Sequence, residues 1–187
     1  RIDTVRPETL SIMRRAGIRW LALGIESGSA HVRDGALKSL DSEDIRDIVL
    51  DIQSAGISVL GNFIFGLADD TLETMQETLD LAKSLDLEFA NFYSAQGYPG
   101  SKLFDQTKPD DLPDSWSGYS QHSFDTQPLP TTTLSSADVL RFRDKAFIDF
   151  YTDSEYLNFV ERKFGRSAMG HIQHMTAHPL PRKLLSA

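Results

Sequence analysis

The chain has 187 residues, 40% of them hydrophobic and 25% charged, which is typical of a globular protein with one domain or one domain plus an appendage. The formal net charge of −8 argues against a nucleic-acid-binding surface. No apolar run approaches the ~20 residues that span a bilayer, and no signal peptide is recognisable, so we expect a cytoplasmic protein without a membrane span. The absence of cysteine excludes disulfides, cysteine nucleophiles and thiolate-bound clusters within the chain.

The first predicted strand lies in residues 18–27, IRWLALGIES, after a helix over residues 7–16. A short and nearly continuous apolar run predicts a strand buried on both faces, as in a parallel sheet under helices. Glu26 and Ser27 lie at its carboxyl end, where α/β proteins bind ligands, and a carboxylate there can accept hydrogen bonds from a ribose. The alternative is that Glu26 is solvated and Ser27 caps the next helix.

The helix–strand pattern repeats. Ala16-Gly17-Ile18 and Ala55-Gly56-Ile57 stand 39 residues apart, and residues 84–87 occupy the same place in a third unit. Ser42 and Thr71 are predicted to cap the second and third helices, the third strand spans residues 87–94, and a short helical turn is predicted at residues 31–40. Such units imply parallel strands with right-handed crossovers, which form part of a β/α barrel or an open α/β sheet.

Two further strand ends carry candidate ligand-binding residues. Gly66 ends the second strand, where a glycine lets a flat ligand approach the backbone, and Asp69 follows it. The alternative there is a tight turn followed by an acidic helix start. After the third strand, Tyr98 and Pro99 are candidates for an aromatic rim, or they belong to an ordinary turn.

The remaining residues differ in character. We expect barrel-type structure over residues 1–104, a surface loop or lid over 105–134, and a helical extension over 135–187, with helices at about 135–151 and 154–164. His171, His174 and His178 have helical spacing suited to a metal ion, but no acidic residue accompanies them, so no metal site is predicted.

Three segments together carry a family resemblance: LALGIESGS, NFIFGLADDTLETMQETLDLAKSL and NFYSAQGYPGSKLF. In this order and spacing they resemble the second half of a radical S-adenosylmethionine (radical SAM) domain. The closest branch often carries a cobalamin-binding domain and includes Fe–S oxidoreductases and anaerobic magnesium-protoporphyrin ester cyclases. The resemblance spans residues 1–104 and implies strands four to six of a six-stranded partial β/α barrel, together with the end of strand three.

The resemblance implies S-adenosylmethionine as a cofactor and, in the full-length parent, a [4Fe–4S] cluster, with cobalamin as a further candidate. Asn62 and Asp69 replace the first glycine and the glutamate of the fifth-strand motif GxIxGxxE. The resemblance assigns contacts with the ribose or methionine part of the cofactor to Glu26 and Ser27. It assigns positions near the adenine to Ile64, Gly66, Asp69, Tyr98 and Pro99.

The leading hypothesis is therefore a fragment of a radical SAM enzyme that binds the cofactor and a small organic substrate, tetrapyrrole-like compounds being one candidate class. Because the chain has no cysteine and begins at Arg1 rather than methionine, we expect a piece of a longer protein that is inactive alone. Its partner would be the N-terminal half of the same barrel, and its open edge at strand four would favour self-association. The alternatives are a non-catalytic α/β interaction module and a small hydrolase, for which no catalytic constellation is visible.

Overall fold

Three parallel strands form the centre of the protein, and helices connect and flank them. The computed structural model describes residues 2–34 and 42–186. Part of the turn predicted at residues 31–40 is observed as α2, and the remainder lies outside the described residues. The elements are α1 (Pro7–Arg15), β1 (Trp20–Glu26), α2 (Ala30–Asp34), α3 (Ser42–Ser54), β2 (Ser58–Phe65), α4 (Leu72–Ser84), β3 (Phe89–Ser94), α5 (Lys102–Gln106), α6 (Ser136–Tyr151), α7 (Ser154–Phe164) and α8 (Arg166–Thr176), with 3-10 turns at Ile2–Thr4, Pro109–Asp111, Trp116–Tyr119 and Lys183–Leu185.

The sheet has the order β1-β2-β3, and both neighbouring pairs are parallel. This confirms the predicted fold class, an α/β fold with the parallel strands of a partial β/α barrel and a mainly helical C-terminal extension; the three described strands form an open sheet. Helices that connect parallel strands place all carboxyl ends of the strands at the same edge. The loops after Glu26, Phe65 and Ser94 therefore share one rim.

The repeat follows from one way of ending a helix. Gly17 and Gly56 have φ of +99° and +78°, the left-handed conformation that a glycine adopts without a steric penalty. The N–H of Ile18 then donates to the carbonyl of Met13 at 3.0 Å, which turns the chain from helix into strand. Asp86 takes the third such position with φ of +49°. Three similar exits set three strands in parallel.

The two faces of the sheet differ in polarity and cover. Every second residue of β2 is buried beneath α3 and α4, and Phe63 and Phe65 of this set both stack on Phe92 of β3 at 5.7 Å between ring centroids. The alternate residues point to the opposite face and are only partly buried. We call this opposite side the open face; it includes Leu60, Asn62 and Ile64 of β2 and Phe89, Asn91 and Tyr93 of β3.

The prediction that the first strand is buried on both faces is wrong for the first half of β1. Trp20 remains 46% exposed and Ala22 is exposed as well. The reason is that β1 is the edge strand of the described sheet and that its early residues face the uncovered side. Only from Leu23 onward does every second residue of β1 enter the core.

The other edge of the sheet, along β3, is closed by side chains from the C-terminal extension. Tyr151 of α6 donates its hydroxyl to the carbonyl of Ala90 at 2.6 Å and accepts the N–H of the same residue at 3.1 Å. Two residues further on, Nε of Arg143 donates to the carbonyl of Phe92 at 2.8 Å. Helix α6 thus provides hydrogen bonds that a fourth strand would otherwise supply.

Residues outside α6 complete this closure. Gln121 accepts the N–H of Ser94 and donates to its carbonyl, both at 2.9 Å. Tyr156 of α7 donates to the carbonyl of Glu88 at 3.1 Å. The outward-facing backbone groups of Ala90 and Ser94 and the carbonyls of Glu88 and Phe92 are therefore occupied, and this edge cannot pair with another strand while the extension is in place.

The C-terminal helices share the core of the sheet domain. Ala146, Phe150, Val160 and Ile172 belong to the same buried cluster as the strands. Even α6, with 16 residues the longest of the described helices, is too short and too polar to cross a membrane, and so are the others in that set. The division of the chain at about residues 104 and 134 stays a prediction.

We expect Tyr151→Phe to destabilise the protein by about 2 to 3 kcal/mol, because it leaves a buried N–H and a buried carbonyl of Ala90 without partners. Chemical denaturation measures the change. Tyr119→Phe, in a surface turn, is the matched control and should change little. An equal effect of both substitutions would show that the hydroxyl of Tyr151 does not support the edge.

Candidate functional site

The carboxyl end of β1 has an unusual backbone. Its register with β2 shifts between Gly24 and Glu26, so that Ile25 is an extra residue, a β-bulge. Glu26 has φ of +68°, the left-handed region that costs a non-glycine residue about 1 to 2 kcal/mol. Bulges and strained residues of this kind concentrate at functional sites.

The bulge turns the carboxylate of Glu26 back over the open face. A Cβ built on Gly24 would lie 2.4 Å from Oε1 of Glu26, so the carboxylate occupies the space that a side chain at Gly24 would need. Among residues 2–34 and 42–186, none donates a hydrogen bond to this carboxylate. Burial raises the pKa of Glu26 above its ordinary value. The group is therefore a half-buried acceptor without a partner in the described part of the chain.

A polar strip crosses the open face from this point. Gly24 pairs with Asn62 of β2, and Asn62 pairs in turn with Asn91 of β3. The Asn91 amide donates to Oδ1 of Asn62 at 3.0 Å, and Nδ2 of Asn62 donates to the carbonyl of Leu23 at 3.4 Å. We use the name polar strip for Glu26, Asn62 and Asn91. Our sequence analysis missed Asn91, although polar residues at alternate positions of two paired strands were a signal for it.

The residues after Glu26 are clamped against α4. Ser27 is fully buried, and its hydroxyl lies 3.2 Å from Oγ1 of Thr78. The N–H of Gly28 donates to the same oxygen at 2.9 Å, and a Cβ on Gly28 would lie 2.6 Å from the carbonyl oxygen of Glu77. Ser27 thus fixes the strand end in this structure, and its predicted contact with a cofactor stays a prediction.

Gly66 and Asp70 shape the end of β2. Gly66 has φ of +82°, and a Cβ there would lie 2.5 Å from the side chain of Val139, so α6 packs directly against this glycine. The buried carboxylate of Asp70 accepts the N–H groups of Gly66 and Leu67 at 2.9 and 3.0 Å. Burial raises the pKa of Asp70, against the opposing effect of these hydrogen bonds. Asp70 therefore closes this turn, a role that its neighbour Asp69 does not share.

The other predicted site residues lie at separate places along the rim. Ile64 is partly buried on the open face, beside Tyr93 of β3. Asp69 and Pro99 are exposed, and Tyr98 is 48% exposed with its ring 6.0 Å from that of Tyr119. Their assignment to the adenine stays a prediction.

A cavity of about 510 Å³ lies beyond the ends of β2 and β3. Its wall includes Gly66, Ala95 and Leu129, and of the residues predicted to bind the cofactor Gly66 is the one on this wall. The cavity is large enough for a nucleoside-sized ligand. The two candidate cofactor residues therefore lie in different places: Glu26 lies on the open face of the sheet, and Gly66 lies at the rim beside this cavity.

The three histidines near the C-terminus lie on α8 and just after it. The ring of His178 lies 4.6 Å from the ring of His174, and its Nδ1 is 2.8 Å from the His174 carbonyl oxygen. Within the described ranges, no three side chains of histidine or acidic residues are arranged to hold a metal ion.

We expect Gly28→Ala to destabilise the protein by about 1 to 3 kcal/mol, because the added methyl group meets the backbone of α4. Gly170→Ala, in the middle of α8 where the new methyl meets nothing within 4 Å beyond the neighbouring residues and the backbone of its own helix, is the control and should stabilise by up to about 1 kcal/mol. Thermal unfolding distinguishes them. A neutral Gly28→Ala variant would refute the clamp.

The raised pKa of Glu26 makes stability depend on pH. A carboxyl group with a raised pKa in the folded state favours folding below its unfolded pKa, and this contribution is lost as pH rises through the folded value. Glu26→Gln should therefore be more stable than wild type at pH 7, and the difference should vanish below the ordinary pKa of 4.5. Thermal melts across pH test this, with Glu73→Gln on the exposed side of α4 as control. A less stable Gln variant at pH 7 would contradict the expectation.

No protein-family model matches the chain. Among curated proteins, an uncharacterized methyltransferase of Pyrococcus horikoshii is 28% identical over 153 residues, covering 81% of this chain and 33% of that protein. The anaerobic magnesium-protoporphyrin IX monomethyl ester cyclase of Rubrivivax gelatinosus is 30% identical over 105 residues, covering 56% of this chain and 19% of that protein. The chain thus spans a third or less of the length of these relatives.

Among solved structures, coproporphyrinogen III oxidase of Escherichia coli, described as a radical SAM enzyme, aligns with a TM-score of 0.51 and 21% identity. The alignment covers 60% of this chain and 26% of that enzyme, and it supports the fold. The resemblance to the cyclase branch predicted from the sequence is confirmed by the relatives above. The chain is therefore similar in sequence to a methyltransferase and a magnesium-protoporphyrin ester cyclase, and similar in fold to a radical SAM enzyme.

Proposed function

We propose that this chain supplies one wall of the S-adenosylmethionine and substrate site of a radical SAM enzyme that acts on an organic molecule. The relatives named as a methyltransferase and as a cyclase support an enzymatic parent. The observation that carries the proposal is the carboxylate of Glu26, which lies on the open face at a strand end without a hydrogen-bond donor among the described residues.

Glu26 is suited to bind the polar part of the cofactor. A carboxylate on the open face can accept hydrogen bonds from both ribose hydroxyls or from the ammonium of the methionine part. The β-bulge and the small residue Gly24 hold it in place before any ligand arrives. Such preorganisation lowers the entropy cost of binding. The left-handed backbone of Glu26 reduces the stability of the fold, as local strain at functional sites commonly does.

The remaining residues take supporting parts in this proposal. Asn62 and Asn91 extend the polar surface from Glu26 across the open face. Ser27 is assigned a positioning role through Thr78, since its hydroxyl is buried. The proposal also places five residues near the adenine of S-adenosylmethionine: Ile64, Gly66, Asp69, Tyr98 and Pro99.

The iron–sulfur cluster of the family does not fit the residues of this chain. Clusters of this type are held by cysteine thiolates, and the chain has none. In the proposal the cluster ligands belong to another part of the barrel, and we expect the chain by itself to cleave no S-adenosylmethionine. Cobalamin in the parent stays a prediction.

The outer edge of β1 is the proposed contact for the rest of the barrel. Within the described sheet, β1 pairs only with β2, whereas the outer edge of β3 is occupied by side chains. A further parallel strand can therefore add at β1, and a second copy of this chain competes for the same edge.

The proposal predicts that the chain binds S-adenosylmethionine and that Glu26→Gln weakens this binding by about tenfold to a hundredfold, because a hydrogen bond to a charged group contributes about 1.5 to 3 kcal/mol. Isothermal titration calorimetry with the purified chain measures the affinity. Glu73→Gln changes the same charge at an exposed position of α4 and should bind as wild type does.

Two outcomes would count against the proposal. Unchanged affinity in Glu26→Gln would remove Glu26 from the cofactor site. Absence of any binding by the wild-type chain would favour the alternative, a non-catalytic α/β module that contacts another protein.

A further inference from the structure

A second cavity, of about 400 Å³, lies between β3, α6 and the segment after α8. Its lining includes Arg143, Phe147 and Ile148 of α6, and it reaches the open face at Phe89 and Asn91. Its volume is within the range of small-molecule sites. None of the cofactor positions predicted from the sequence is part of its described lining.

The walls of this cavity are mainly apolar. Phe89 and Phe147 contribute aromatic rings, and Ile148, Met175 and Leu180 contribute aliphatic surface. Asn91, at the end of the polar strip, provides an amide on the side of the sheet. A ligand that fills this space would therefore place an apolar body against α6 and one edge against the polar strip.

Arg143 and Asp144 line the cavity, and Arg182, which is not part of the lining, pairs with the same Asp144. Arg143 and Arg182 are only 4% and 3% exposed, and both form ion pairs with Asp144. In the part of the chain that the structure describes, no other carboxylate lies within ion-pair distance of either arginine. Two buried positive charges thus share one negative charge, although buried charges are normally paired.

Arg143 has a hydrogen-bond donor to spare. Its Nε donates to the carbonyl of Phe92 and its Nη1 to Asp144, each at 2.8 Å. Its Nη2 has no hydrogen-bond partner among the described residues and keeps some contact with solvent. At the exposed rim, desolvation and the charges of Arg143 and Arg182 lower the pKa of His122, in agreement with a positive field.

We propose that this cavity binds the substrate and that Arg143 receives an anionic group on it, so that the substrate is an organic anion with a mainly apolar skeleton. The identification of the ligand as the substrate rests on the proposed function. The binding preference itself follows from the cavity, its apolar walls and the two buried arginines that share one aspartate.

A pair of fluorescent probes tests the preference. 8-Anilinonaphthalene-1-sulfonate is an apolar anion, and N-phenyl-1-naphthylamine has the same ring system without the charge. We expect the wild-type chain to bind the anion at least about tenfold more tightly than the neutral probe. Equal affinities, or no binding of either probe, would overturn the proposal.

The variant His122→Asp tests whether the preference for the anionic probe arises at this cavity. It places a carboxylate at the rim near both arginines, so the affinity for the anion should fall by about threefold to tenfold while the affinity for the neutral probe stays unchanged. His122→Asn is the matched uncharged control and should keep the preference. An equal effect of both variants on the anion, or a loss of both probes without a change in melting temperature, would contradict the proposal.

A second position in the same cavity provides an independent test in case a His122 variant does not fold. Leu180 lines the same cavity and is 43% exposed, so Leu180→Asp and Leu180→Asn repeat the comparison. Leu50→Asp, on α3 and 50% exposed, should change neither affinity. Failure of S-adenosylmethionine binding would remove the proposed function but leave this anion preference, whereas equal probe affinities would remove only the present inference.

Discussion

The structure depends on how the outer edge of β3 is closed. A three-stranded parallel sheet has two edges with unsatisfied backbone groups, and a small sheet cannot leave both in contact with an apolar core. Tyr151 and Gln121 bond both outward groups of Ala90 and Ser94, and Arg143 bonds the carbonyl of Phe92. Because these bonds hold α6 along the edge, they also place Val139 against Gly66 and Phe150 against Phe92.

The outer strand β3 and the carboxyl end of β1 differ in backbone geometry and in hydrogen bonding. Along β3 the backbone is regular and its groups have partners. At the end of β1, Glu26 combines a left-handed backbone with a half-buried carboxylate that has no partner in the described chain. Each feature reduces stability, and the clamp on Thr78 keeps both in place. Strained residues of this kind cluster at functional sites, in agreement with the proposed role of Glu26.

Sequence patterns predict the elements well because their causes are local. Gly17 and Gly56 end helices in the left-handed conformation that their sequence predicts, and Asp86 takes the same conformation without being glycine. The exposure of Trp20 could not be predicted in this way, since it depends on which strands lie beside β1. Glu26 was predicted as a strand-end carboxylate, but its place over Gly24 follows from the bulge.

The closing of the edge and the charge of the second cavity meet in one residue. Arg143 bonds Phe92, 51 residues away along the chain, and no local pattern predicts such a contact. An apolar side chain at this position would leave the Phe92 carbonyl without its donor, so the sheet itself requires a long donor here. Arg182 in turn needs Asp144 to attach the C-terminal segment. The excess positive charge beside the cavity is thus a consequence of how the fold is closed, and an anionic ligand is the group that would neutralise it.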